Sequence, residues 1–130
     1  MVKEFWTHLC EDLNYRFLTG IPFVAATDLY KGMNPKIMHY IPAANENIAV
    51  SLAAGAWIGG FKSVVLLGAD KLKNVDFSIN LSNDIPVVVI TDKVLNDLGL
   101  FVSKNIDKVV DTAEKTKSPA FYLIDGELIK

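Results

Sequence analysis

The sequence has little of several things that would point to whole classes of function. Its one cysteine, Cys10, excludes an intrachain disulfide and favours a reducing compartment, so a cytoplasmic location is expected. Its one arginine, Arg16, leaves lysine to supply nearly all the positive charge, so phosphate recognition by planar guanidinium forks is at most a minor theme. Neither sign of charge dominates: 13 basic and 15 acidic residues give a net charge of -2, which offers no footprint for nucleic acid or an anionic membrane. Long hydrophobic runs are missing as well. The stretches near Ala49–Ile58 and Pro86–Ile90 are too short or too interrupted to span a bilayer. The segment Met1–His8 carries polar and acidic residues where a secretory signal needs a continuous apolar run.

What is present is an apolar majority, 51% hydrophobic residues with a mean hydropathy of +0.28, in a chain of 130 residues. That suffices for one well-filled core, and with no repeat or linker a single domain over 1–130 is expected. Two hydrophobic periods alternate along it. Trp6, Leu9, Cys10, Leu13 and Phe17 fall at helical spacing, and a short strand follows around Phe17–Ile21. A helix over Ala25–Met33 and a strand over Ile37–Ile41 come next. The third helix has the clearest signals: Asn45 as N-cap, Glu46 in the first turn, apolar pairs at helical spacing, and Gly59–Gly60 at its end. Ser63–Leu67 and Pro86–Ile90 read as strands buried on both faces, as in a parallel sheet. A helix from Lys71 or Asn74 to Leu81, helical or irregular structure over Val94–Thr116, and a strand over Ala120–Ile124 before an Asp125–Gly126 turn complete the pattern. This βα alternation predicts a doubly wound, mostly parallel α/β fold with helices on both faces. Ligands of such folds sit at the carboxyl ends of the strands.

Most common ligands of that architecture are excluded. No G-x-G-x-x-G follows a strand, and neither a P-loop nor a nucleophile elbow occurs. The two histidines, His8 and His39, lack the spacing of a metal site. His39 reads as a core-edge residue, and Asp107, Lys108, Asp111, Glu114 and Lys115 read as a solvated helix face. Glu46 remains, just past a strand end. It is either a carboxylate complementing the helix dipole or a proton-exchanging acid in the crevice beyond the sheet.

The block Ala43-Ala44-Asn45-Glu46-Asn47-Ile48-Ala49-Val50-Ser51-Leu52-Ala53-Ala54-Gly55-Ala56-Trp57 resembles the N-E-x-x-A-x-x-x-A-x-G-A block of thiamine-diphosphate enzymes, in their pyrimidine-binding domain. The likeness is strongest to the sulfopyruvate and phosphonopyruvate decarboxylases. Their G-V-P loop is echoed by Gly20-Ile21-Pro22, and their later strands by Val64–Leu67 and Ile85–Ile90.

The resemblance implies a flavodoxin-like pyrimidine-binding domain and gives each matching residue a role. Glu46 would hydrogen-bond N1′ of the cofactor's aminopyrimidine and promote the imino tautomer that deprotonates the thiazolium C2. Gly20, Pro22 and Gly68 would line the cofactor, and Phe23, Lys71 and Asn74 the substrate. The implied reaction is decarboxylation of a small anionic α-keto acid, with sulfopyruvate, and so coenzyme M biosynthesis, as first choice. Acetolactate synthase and phosphonopyruvate decarboxylase types are alternatives.

The G-D-G…N motif that holds the diphosphate and Mg²⁺ in this family does not occur in the 130 residues. A partner β subunit in a hetero-oligomer is expected to supply it, with self-association also expected and a partner surface built from the third and fourth helices. Where the family has Q-N-S-G-L-G-N, this chain has Gly68-Ala69-Asp70-Lys71-Leu72-Lys73-Asn74. Lys71 or Lys73 then either faces a sulfonate or is simply solvated. A non-catalytic, assembly-only role is the further reading that this departure motivates.

Overall fold

The computed structural model describes residues 2–93 and 101–125, without the side chain of Ile79. Six strands, Tyr15–Gly20 (β1), His39–Pro42 (β2), Lys62–Leu66 (β3), Val87–Thr91 (β4), Phe101–Ser103 (β5) and Pro119–Leu123 (β6), form one sheet in the order β2-β1-β3-β4-β6-β5. Every pairing is parallel. The central strands explain why. Each is apolar at consecutive positions, so both of its faces need covering, and only helical crossovers provide that. Val64, Leu66, Val88, Ile90, Ala120 and Tyr122 feed one core, and Val65, Leu67, Val87, Val89 and Phe121 feed the other.

The first core is closed by Val2–Thr7 (α1), the π-helical turn His8–Asp12, Thr27–Lys31 (α2) and Ile106–Thr116 (α6). The buried Trp6 ties two of these together by donating its indole N–H to the Leu29 carbonyl at 2.7 Å. In α6 the buried residues Ile106, Val109, Val110 and Ala113 make one stripe, and Asn105 caps the start by accepting from the Asp107 and Lys108 amides. The second core is closed by Glu46–Ile58 (α3), through Ala49, Val50 and Ala53, together with Leu72 and Phe77. Small alanines let α3 lie close against the sheet. Helices therefore cover both faces, as the alternation predicts.

Several boundaries differ from the sequence reading. Phe17 is not on the first helix; it lies in β1, whose register shifts between Tyr15 and Phe17, so the apparent helical stripe ran across an irregular strand. The helix expected from Lys71 or Asn74 to Leu81 is two short ones, Ala69–Leu72 (α4) and Ser78–Ser82 (α5). Within Val94–Thr116, positions 94–100 lie outside the described residues, and the remainder holds β5 as well as α6. Gly126, expected in a turn, also lies outside them. No helix among the described residues is long and apolar enough to cross a membrane.

The charged face of α6 is not simply solvated. Glu114 is half-buried, accepts from the Tyr15 hydroxyl at 2.6 Å and pairs with Lys62 at 3.3 Å. Burial first, and then this carboxylate, push the Tyr15 phenol well above its ordinary range. At the far end, His8 bridges Asp12 at 2.7 Å and Asp107 at 2.6 Å, joining the π-turn to α6. Hydrogen bonds to Asp107 and then Asp12 raise its pKa above the ordinary 6.5. A raised folded-state pKa means that this contribution is complete below the unfolded value and is lost as pH rises through the folded one. The thermal midpoint is therefore expected to decline over that window in the wild type. In His8→Gln the decline should flatten; an equal decline in both would reject the linkage.

Candidate active site

The crevice begins where the chain reverses its direction of winding. From β1 the chain crosses one face through α2 to β2, whereas from β3 it crosses the other through α4 and α5 to β4, although β1 and β3 are adjacent. The crossovers leaving β1 and β3 therefore take opposite faces, and it is at the carboxyl ends of the strands beside such a switch point that ligands of open parallel α/β sheets bind.

Gly20 sits at this point. Its φ is +138°, and a Cβ there would lie 2.1 Å from the Leu66 carbonyl oxygen. Only glycine permits so close a backbone approach. Around it the Ile21 amide donates to Leu66 O at 2.9 Å and the Ala43 amide donates to Gly20 O at 3.1 Å, so β1 holds the exits of both β2 and β3. Gly20 is thus a packing residue that shapes the crevice floor. Gly68, buried at the start of α4, lies against Phe23: a Cβ on it would be 3.4 Å from the Phe23 ring and 3.0 Å from Asp70 Oδ1. Pro22 is exposed between the two. The loop after β1 and the turn after β3 therefore meet, bringing Gly20, Pro22, Phe23 and Gly68 together.

Glu46 approaches from β2 and α3. Asn45 has extended backbone and accepts from the Ile48 amide at 3.0 Å, capping α3 and placing Glu46 in its first turn. The Glu46 carboxylate is half-buried and makes no hydrogen bond or ion pair with any described residue. A carboxylate at a helix start, partly withdrawn from water and with both oxygens free, can complement the helix dipole or exchange a proton with a bound group.

Two residues to which the sequence assigns no role of their own organise this surface. Asn47 donates to the Asn74 carbonyl at 3.1 Å and accepts from the Asp76 amide at 3.0 Å, clamping the segment after α4 to the first turn of α3. Asp92, just past β4, accepts from the Ala69 amide at 2.8 Å and so fixes the start of α4. Lys71, Lys73 and the Asn74 side chain are exposed. His39, expected at a core edge, is exposed on the edge strand β2, because a strand of only four residues at the sheet margin leaves one side open.

Glu46 lines none of the four main cavities among the described residues. The largest, about 970 Å³, lies beside β2 and the middle of α3. No group of three or more metal-ligating side chains occurs among the described residues.

No family model matches the chain, and no curated protein matches it in sequence. Among solved structures, the fold is similar to that of 2-oxoglutarate:ferredoxin oxidoreductase from Magnetococcus marinus, determined with 2-oxoglutarate, coenzyme A and succinyl-CoA bound. The TM-score is 0.69 and the identity 16%, over 99% of this chain and 29% of that one. The chain thus spans under a third of that protein's length, and the likeness is one of fold.

Proposed function

We propose that this chain is the pyrimidine-binding part of a thiamine-diphosphate-dependent enzyme acting on a small anionic α-keto acid, with decarboxylation of sulfopyruvate as the first choice. The observation that carries the reading is Glu46: a half-buried carboxylate, unpartnered at the start of α3, just past the carboxyl end of β2. These residues fit the pyrimidine half of the cofactor. Glu46 offers a free oxygen for a ring N–H, and Phe23 against Gly68 offers an apolar wall next to a surface with no Cβ. The fold neighbour's name adds support for the substrate class, since 2-oxoglutarate is an α-keto acid.

In this reading Glu46 donates to and recovers a proton from N1′ of the aminopyrimidine. Its partial burial keeps competing water from one side, and the Asn45 cap fixes the backbone from which it projects. Gly20 and Gly68 keep the floor low, while Lys71 supplies a cation near the rim for a sulfonate. When bound, the cofactor supplies the carbon nucleophile and the electron sink for loss of CO₂. The diphosphate and Mg²⁺ are held by a partner β subunit carrying G-D-G…N, in a hetero-oligomer.

Calorimetric titration separates the halves. The chain alone is expected to bind thiamine diphosphate and Mg²⁺ more weakly than micromolar, and the complex with the partner to bind them and consume sulfopyruvate. Submicromolar binding by this chain alone, about 8 kcal/mol or more, would overturn the half-site reading. A cofactor-loaded complex with no turnover of any α-keto acid would instead leave an assembly-only role.

A further inference from the structure

The largest of the four cavities among the described residues belongs to none of the chemistry above, and its lining has a definite chemical character. It runs beside the edge strand β2, between Tyr30 and Met33 on one side and the middle of α3 and Phe61 on the other, with a volume of about 970 Å³. That is the size of a pocket for a small organic molecule, and apolar walls with a few convergent polar groups are the usual composition of one. The polar groups here are cationic or neutral: no aspartate or glutamate is among the lining residues.

Arg16, the sole arginine, is half-buried in this lining and makes no hydrogen bond or ion pair with any described residue. Its Nε is buried without a partner, as is the hydroxyl of Tyr40, another lining residue. Buried polar atoms are ordinarily paired, because an unmade hydrogen bond leaves the cost of desolvation uncompensated. A guanidinium offers a planar fork of donors that a carboxylate satisfies with two hydrogen bonds. Tyr40 and the exposed His39 add polar groups at the same margin. The aromatic and aliphatic walls, Phe17, Tyr30 and Phe61 among them, match an apolar body attached to that carboxylate.

We propose that the groove beside β2 is a binding site for a small carboxylate with an apolar tail, its charge on Arg16 and its tail along α3. The site lies apart from Glu46 and does not depend on the reading of that residue.

Gly55 supplies the means to test the location. It lines the groove, is exposed, and a Cβ on it would meet nothing within 4 Å. Gly55→Leu therefore fills the groove without a clash and replaces a poor helix former with a good one. The probe is hexanoate, compared with hexanol and hexylamine on the full chain, followed by backbone amide shifts in NMR titrations. Hexanoate is expected to shift groove residues. Hexanol, hexylamine, and the Arg16→Gln variant with hexanoate should each bind roughly tenfold or more weakly. Gly55→Leu should abolish the response while melting no lower than wild type. The proposal fails if hexanol or hexylamine binds wild type as well as hexanoate, a comparison that needs no variant. It also fails if hexanoate binds Gly55→Leu unchanged. A wild-type chain that shows no groove shifts because it is a dimer through this face, seen in sedimentation, likewise overturns it.

Discussion

Replacing Glu46 with glutamine in the proposed two-chain enzyme is expected to lower turnover by about 10² to 10⁴-fold while leaving the fold intact, the usual range for removing a positioned acid–base group. The substitution keeps the side-chain length and one hydrogen-bonding oxygen. The Asn45–Ile48 cap that sets the helix start does not involve it. Glutamine cannot give up and recover a proton at neutral pH, so binding survives and the proton exchange does not. As a mere complement to the helix dipole, Glu46 would instead be worth about 0.3 to 1 kcal/mol of stability and nothing in turnover. Steady-state kinetics alongside thermal melts separates these outcomes. A large rate loss with a near-normal melt supports the proton-exchange role, and a normal rate with a lowered melt supports the dipole role.

Gly20→Ala should be among the most damaging single-methyl changes in the chain. The new Cβ would fall 2.1 Å from Leu66 O and 2.7 Å from Leu66 N, both backbone atoms of β3 with no room to yield, at a φ of +138° that alanine resists. Overlap and strain together place the loss at about 4 kcal/mol or more, the upper end for point substitutions. Relief would require β1 and β3 to part at their carboxyl ends. That breaks the Ile21–Leu66 and Ala43–Gly20 hydrogen bonds, which set the crevice floor. Urea denaturation measures the loss; a midpoint within error of wild type would mean that the close approach is not as described. By contrast, Gly60 also has positive φ, but a Cβ there would meet nothing within 4 Å, so Gly60→Ala isolates the dihedral cost from the clash.

The parts of this fold that could be read from the residues are those fixed by short-range physics. Val64–Leu67 and Val87–Ile90 are continuous β-branched and leucine runs, and both are fully buried in a parallel sheet. The start of α3 was legible because Asn45, Glu46 and the alanines that follow are local signals. Phe17 misled because it stands four residues after Leu13, a helical spacing, although the helical segment ends at Asp12 and Phe17 pairs with β2 and β3 in the sheet. β5 was missed because three residues at a sheet edge, with Phe101 exposed, carry almost no pattern. Glu114 shows the same limit. Its charged neighbours Asp111 and Lys115 are exposed, and only the fold brings Tyr15 and Lys62 to it. At the candidate site, Glu46 and Gly20 stood out by type and place. Asn47 and Asp92 did not, since their work is to hold backbone groups far away in sequence.

If Glu46 moves a proton on the pyrimidine of a bound cofactor, one rate reports it. Hydrogen–deuterium exchange at C2 of thiamine diphosphate, measured in the assembled complex with Mg²⁺, reports that proton transfer without needing the true substrate. Exchange is expected to be fast with Glu46 and slowed by about 10²-fold or more in Glu46→Gln at equal cofactor occupancy. Equal exchange rates in a folded, cofactor-loaded Glu46→Gln complex would contradict it.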